Sequence, residues 1–593
     1  MDTKKLILAI VLSIVVIIAY QYFFMKPAVN QPPQPAATST QPSQPAPTTS
    51  ESSAKPSLDL ETILNDQEKK SDQPQPTLLK PVVEDQKDEQ EKSVTVETER
   101  FTAVFTNQGA GMKALYLKKY KDDQKNPLNL VSEKVETATI GTAAIYPFYF
   151  SPFEKNKIFQ QLNNEKFLYQ GETSVTLKGG EQREITFRYA DRARNIFARK
   201  TFVISNRDYT IKLELEVIQE GASIEQIPVI FGPDLESNTS KDQAMLMNLK
   251  IAAYDGNNLK TVDLPKLKTL KTQNANIEQL SGDLGSGFFW SAYETNYFAA
   301  IFKTNFKSRL TYQLIKQNLA NKGTTLYSYL IVTNPEAVFL GPKDEEVLGR
   351  IENNFPAVNR VIEYGWFGSI AKLMLKGINL VYRLIPNYGW AIVIFTLLLK
   401  ILLFPLTYSS SVSMAKMQTL QPKMKAIRKK YKNQRDPEQR RLMNMEIMAM
   451  YKQEKVNPAG GCLPLLLQLP ILWGFFRLLS VSISVRHEPW MLWITDLSKK
   501  DPYYVLPILM GVTQLIVQKM TPSGGDETQK KLMYIMPVVM VVLFASFPSG
   551  LNLYWFFSNV LQIGQQKIVN ERIYDKKKEE EKERKFFKRK QRS

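Results

Sequence analysis

The residue whose type and place could do chemistry is Lys400, set inside Tyr388–Thr407, YGWAIVIFTLLLKILLFPLT. About 20 residues rising roughly 1.5 Å each cross the ~30 Å hydrocarbon core of a bilayer, so this run can span one. A charge inside it is expensive, and such charges face a water-filled cavity or a bundle interior rather than lipid. Lys400 stands seven residues from Thr407, about 10 Å along a helix, which puts it in the inner half of the membrane. Thr396 lies one turn above on the same face. Gln468, Asn559 and Gln562 are further polar groups at membrane depth. Two readings fit them. Either Lys400 snorkels to the inner headgroups and each amide glues helices, or all five line one wet groove. The groove accounts for them jointly and is the expectation carried forward.

Other chemistry finds little support. There is no P-loop pattern, no HExxH and no nucleophile elbow. One cysteine, Cys462, and one histidine, His487, exclude a disulfide within the chain and argue against a Cys/His metal site. Cys462 reads as a small packing residue and His487 as an exposed loop residue. The expectation is a protein that is no enzyme, with no metal and no cofactor.

The 593 residues imply at least two folded units. A mean hydropathy of −0.26 averages over very different regions. The net charge of +19 is concentrated in two blocks that flank apolar segments. That arrangement favours membrane topology over nucleic acid, so no DNA partner is expected.

The elements that position Lys400 begin with an anchor at 1–25, where Leu6–Phe24 follows MDTKK without an A-x-A cleavage site. Residues 26–92 are rich in Pro, Gln, Ser, Thr and charge, and read as a disordered tether. Residues 93–350 are β-rich. In Tyr209–Val217, YTIKLELEV, the apolar Ile211, Leu213, Leu215 and Val217 alternate with Lys212, Glu214 and Glu216. Phe202–Ile204 should pair with it in a hairpin. Glu97–Gly111, Thr173–Tyr189 and Thr324–Val332 look similar, and an antiparallel β-sandwich is expected.

Residues 351–568 form the membrane part. Asn353–Leu384 opens it with apolar residues interleaved with Lys372, Lys376 and Arg383, the pattern of a helix lying in the outer interface. Residues 409–458 carry twelve Lys/Arg against four acids. Met414, Met417 and Met424 recur on one helix face, Arg428, Lys429 and Lys430 supply basic charge, and Asp436-Pro437-Glu438-Gln439 restarts a helix. This is a helical hairpin whose methionines either offer an adaptable apolar surface or simply pack its two helices. Gly460–Ser480, Tyr503–Lys519, and the pair Leu532–Phe547 and Leu551–Ile568 supply further apolar helices. Pro464, Pro470 and Pro537 interrupt the backbone bonding of these spans. From Lys567 on there are twelve Lys/Arg against six acids, and 569–593 forms a basic tail. The basic hairpin and tail belong inside, and Trp490 and Trp493 suit the outer interface. The expected fold is a polytopic α-helical membrane protein of six transmembrane helices, both termini cytoplasmic and the β domain outside. A small-solute transporter is the competing class, but it would bring repeats and several deep charges. No repeat is present, and beside Lys400 only Arg477, near the outer end of its span, is charged.

Four segments carry a resemblance: FTLLLKILLFPLTYSSSVSMAKMQTLQPKM, YKQEKVNPAGGCLPLLLQLPI, WITDLSKKDPYYVLPILMGVTQLIVQKM and FPSGLNLYWFFSNVLQIGQQ. Over about Tyr364–Ile568 the chain closely resembles the YidC/Oxa/Alb family of membrane protein insertases, in its Gram-negative form with a large periplasmic domain. The anchor, tether and β domain resemble that form more weakly. The resemblance implies an insertase and chaperone of the bacterial inner membrane, its five core helices enclosing a hydrophilic groove open to cytoplasm and lipid. It implies nascent membrane proteins as substrates, and the Sec translocon, the ribosome and the lipid bilayer as partners. The ribosome would meet the basic hairpin and tail, unless their charge serves only topology and anionic lipid. The family's groove carries a positive residue, typically arginine, that receives the hydrophilic end of the substrate. Matching FTLLLKILLFPLT puts Lys400 there, a departure, because arginine stays charged nearly anywhere whereas lysine is a compact, strongly hydrated charge that demands a wetter groove. Tyr554 and Trp555 match an aromatic pair that borders the substrate path or packs ordinarily. The β domain reads as a docking module that insertion does not require.

Overall fold

The computed structural model describes residues 84–122, 124–131, 145–233, 235–236, 249–264, 279–319, 323–431, 436–454, 456, 463–521 and 527–590. The expected anchor, the tether up to residue 83, Cys462 and part of the hairpin loop lie outside them.

Three sheets make the β domain. The largest has nine strands, running Leu259–Asp263, Lys250–Tyr254, Trp290–Glu294, Phe298–Lys303, Ala337–Pro342, Thr210–Gln219, Ile196–Ser205 and Gln182–Asp191, with Ala222–Ser223 paired to Thr210–Gln219. Phe202–Ile204 does pair with the next strand, Ile204 opposite Ile211. There Ile211, Leu213 and Val217 are buried while Lys212 and Glu214 face water, as period-two alternation requires. A five-stranded and a four-stranded sheet pack on the same large sheet. Phe105 from the first meets Phe202 at a centroid distance of 4.7 Å, and Phe231 from the second meets Phe302 at 5.5 Å. The pairing is antiparallel throughout except Ser93–Glu97 with Ser174–Thr176, which is parallel. Residues 84–92, assigned by composition to the tether, are tied down: Gln86 pairs with Ala190, and Asp88 takes the Lys92 ammonium at 2.7 Å.

The helices are α1 (Ile158–Asn164), α2 (Glu345–Arg350), α3 (Gly368–Leu384), α4 (Tyr388–Thr419), α5 (Gln421–Lys430), α6 (Pro437–Gln453), α7 (Leu463–Val481), α8 (Val505–Met520), α9 (Glu527–Phe544) and α10 (Ser549–Lys590). Two departures from expectation stand out. The amphipathic stretch from Asn353 becomes a helix only at Gly368, because 353–367 folds as turns and a short 3-10 helix against the β domain, where Trp290 Nε1 donates to Pro356 O at 2.8 Å. And α4 does not stop at Thr407. Pro405 removes one backbone bond, but nothing from Tyr408 to Thr419 breaks the helix, so it runs on to Thr419 and the hairpin turn falls at Leu420, with Pro422 in the first turn of α5.

α3 buries Ala371, Met374, Ile378 and Val381 and leaves Leu373, Leu380 and Leu384 exposed, as is Trp366 in the turn before it. α10 packs on α4 and α8, α7 on α3, and α9 on α8. Among the described residues one helix, α4, is long and apolar enough to cross a bilayer; Leu467–Val481, Val505–Met520 and Tyr534–Phe544 are shorter apolar runs. Among the described residues length and apolarity therefore mark one span, and the expected first span, at 1–25, lies outside them.

Candidate functional site

α4 presents two faces. Thr396, Lys400, Leu403, Thr407, Ser410 and Met414 recur at helical spacing along one and line a cavity of about 300 Å³. Leu398, Ile401 and Leu402 lie on the other and are exposed, Leu402 by 74%. Lys400 itself is only 9% exposed. Its Nζ donates to Gln562 Oε1 on α10 at 3.2 Å, and Gln565 Nε2 donates to the Lys400 carbonyl at 3.2 Å.

All seven residues expected in a groove border this one cavity. Thr396 is fully buried and turns its hydroxyl onto Ile392 O at 2.7 Å. Gln468 on α7 donates to Tyr554 Oη at 3.0 Å, and the Tyr554 ring stacks on Phe475 at 4.7 Å. Trp555 Nε1 donates to Gln514 Oε1 at 3.2 Å. Asn559 spans to α8, giving its amide to Met510 O at 3.1 Å and Thr513 Oγ1 at 3.3 Å. The aromatic pair thus takes part in both packing and lining.

The sequence reading missed other polar residues of the wall, among them Ser410, Ser411, Gln514, Gln518, Gln565 and Gln566. Spacing could have found some of them. Gln514 and Gln518 are four apart on α8, and Asn559, Gln562 and Gln566 follow an i, i+3, i+7 stripe on α10. Among the described lining residues Lys400 is the one charged side chain, and none is acidic. A lone ammonium in a wall of amides and hydroxyls can hold an anionic or polar guest without bonding it covalently.

The hairpin residues divide. Met414 belongs to the cavity. Met424 is buried with Leu420, Met450 and Val456, and Met417 packs against them, so the packing reading of these two holds. Leu442, Met445 and Met448, not singled out from the sequence, are the exposed large apolar residues of α6. Arg428 is half-buried, Lys429 is exposed, and Lys430 pairs with Glu446 at 2.9 Å.

Comparison with known proteins is consistent over the whole described chain. The family model for the 60Kd inner membrane protein matches residues 380–578, and that for the YidC periplasmic domain matches 93–376. The membrane protein insertase YidC of Citrifermentans bemidjiense is 36% identical over 495 residues, covering 82% of this chain and 86% of that protein. Its counterpart from Geotalea uraniireducens is 33% identical over 584 residues, covering 96% of this chain and 99% of that one. A crystal structure of an active YidC insertase with its first transmembrane domain resolved covers 82% of this chain and 94% of its own, at 19% identity and a TM-score of 0.33.

Proposed function

The chain belongs to the YidC family, and on that premise we propose that it is a membrane protein insertase that uses the Lys400 cavity as a hydrophilic groove. Relatives of this family are inner-membrane proteins with a periplasmic domain, and the β domain is assigned to the periplasm accordingly. Both termini and the basic hairpin lie on the cytoplasmic side, and the six apolar stretches of the sequence are its spans. The observation that carries the reading is the pairing of Lys400 with a neutral amide, Gln562, in a cavity whose described walls offer no carboxylate. Such a charge is left to attract the polar or acidic end of an incoming chain, while the amides and hydroxyls around it replace part of that end's water.

The exposed leucine face of α4 supports the second half of the reading. A segment whose tail is held at Lys400 has lipid within one helix width. Pro470 and Pro537, inside α7 and α9, remove backbone bonds and make these walls easier to move. In this scheme the protein also assists folding of its substrates, alone or beside the Sec translocon. The ribosome approaches through the basic hairpin and tail, whose charge suits ribosomal RNA.

Site-specific photocrosslinking tests it. A photoreactive residue at position 403, on the cavity face, should capture the polar tail of a stalled nascent membrane protein, and one at 402 should not. Equal capture from both positions would exclude the groove as the path.

A further inference from the structure

A single loop, residues 482–504, closes one end of the bundle that holds the cavity. Gly389, in the first turn of α4, is pressed against the Trp490 ring, and Asn387 Nδ2 donates to Trp490 O at 3.1 Å. At the start of α10, Ser549 N donates to Lys499 O at 2.6 Å and Gly550 N to Leu497 O at 2.9 Å. At the start of α8, Leu506 N donates to Asp501 Oδ2 at 2.7 Å. The same loop therefore seats the ends of three helices.

Its Arg486 points the other way, into the β domain. Nη1 meets Glu236 Oε2 at 2.6 Å, and the two side chains are 3% and 0% exposed. The guanidinium lies over the rings of Tyr297 and Phe298, at 4.8 Å and 5.3 Å. Thr295 Oγ1 donates to Glu236 Oε1 at 2.6 Å, and Tyr297 Oη donates to Leu479 O in the last turn of α7 at 3.3 Å. A buried carboxylate and guanidinium need each other, because removing one strands the other away from water at a cost well above what the pair contributes. Lifting the loop from the β domain would break the ion pair and the ring contacts of Arg486 together. Neither residue lies on the cavity wall.

We propose that the Arg486–Glu236 pair makes the β domain a brace for this loop, keeping it seated on α4, α8 and α10 and the cavity shut on the periplasmic side. The brace rests on the groove reading above. Arg486, Glu236 and Thr295 are positioning residues, and the β domain has a sealing task beyond docking.

The test uses the full chain carrying T396C in a C462S background, in vesicles of both orientations, with a membrane-impermeant thiol reagent. Without further change, the thiol introduced at position 396 should react from the cytoplasmic side only. E236Q should raise labelling from the periplasmic side on the order of tenfold. T295V, which removes one hydrogen bond to the same carboxylate and no charge, should give a smaller rise and still reports if E236Q fails to accumulate. Periplasmic labelling that stays at background while the β domain remains protease-resistant would overturn the brace. If the introduced thiol reacts from neither side, the groove reading is what fails. Hydrogen exchange then decides the brace: residues 486–501 should exchange faster in E236Q or T295V, and unchanged exchange rejects it.

Discussion

Lys400 and Gln562 are joined by a hydrogen bond of 3.2 Å that ties the middle of α4 to α10. The partner is an amide, which orients the ammonium without cancelling its charge. In the proposed groove, where water would complete its hydrogen bonding, a lysine can serve where the resemblance implies an arginine.

Reversing the charge tests that role. K400E should lower insertion of substrates with acidic translocated tails by at least about tenfold, or ~1.4 kcal/mol, while K400R keeps most of it. Protease protection of the translocated tail in inverted vesicles measures this. Unimpaired insertion by K400E would remove Lys400 from the mechanism.

Accessibility tests the wall. Cysteines at 468 and 514, on α7 and α8, should react with a water-soluble thiol reagent from the cytoplasmic side, and one at 402 should remain inert. Reactivity as low at 468 and 514 as at 402 would mean a dry packing defect in place of a groove.

The hairpin separates packing from surface. Met424 is buried with Leu420, Met450 and Val456, so M424A should destabilise the hairpin by roughly 2–3 kcal/mol, seen as faster cleavage there by a protease. The exposed pair M445S/M448S should leave cleavage unchanged. The opposite ranking would show that the apolar residues of α6 hold the hairpin together.

Acid sensitivity follows from Asp496. Burial works to raise its carboxyl, but contact with His487 and hydrogen bonds from Ser498 outweigh it and hold the group below the ordinary 3.8. His487 Nδ1 stands 3.2 Å away and Ser498 Oγ donates at 2.7 Å. A depressed carboxyl stabilises the fold above its unfolded value and loses that contribution as pH falls through the folded one. Thermal unfolding over roughly pH 3 to 7 should therefore show a drop below about 3.8 that D496N lacks, with D496N less stable at neutral pH by about 1–2 kcal/mol. Parallel curves for the two proteins would refute the assignment.

Much of the site was legible before any coordinates. A lysine inside an apolar run is an energetic anomaly whatever surrounds it, and Thr396, Gln468, Asn559 and Gln562 are polar groups at the wrong depth for lipid. Helix boundaries were less legible. Residues 353–367 run straight into α3 in the sequence yet fold on the β domain, and α4 passes Thr407 because a run of serines ends a span by polarity without ending a helix.

What the sequence determined by itself is therefore local: which segments are apolar, where charge interrupts them, which faces a helix or strand presents, and the family the motifs resemble. Only the tertiary structure decided that Gln514 and Gln518 join Lys400 across the cavity, and that Arg486 is paired with a carboxylate 250 residues away. Periodicity is a property of neighbours in the chain. The partner of a buried charge is chosen by how whole elements pack, because only there does the cost of leaving water fall due and find its compensation.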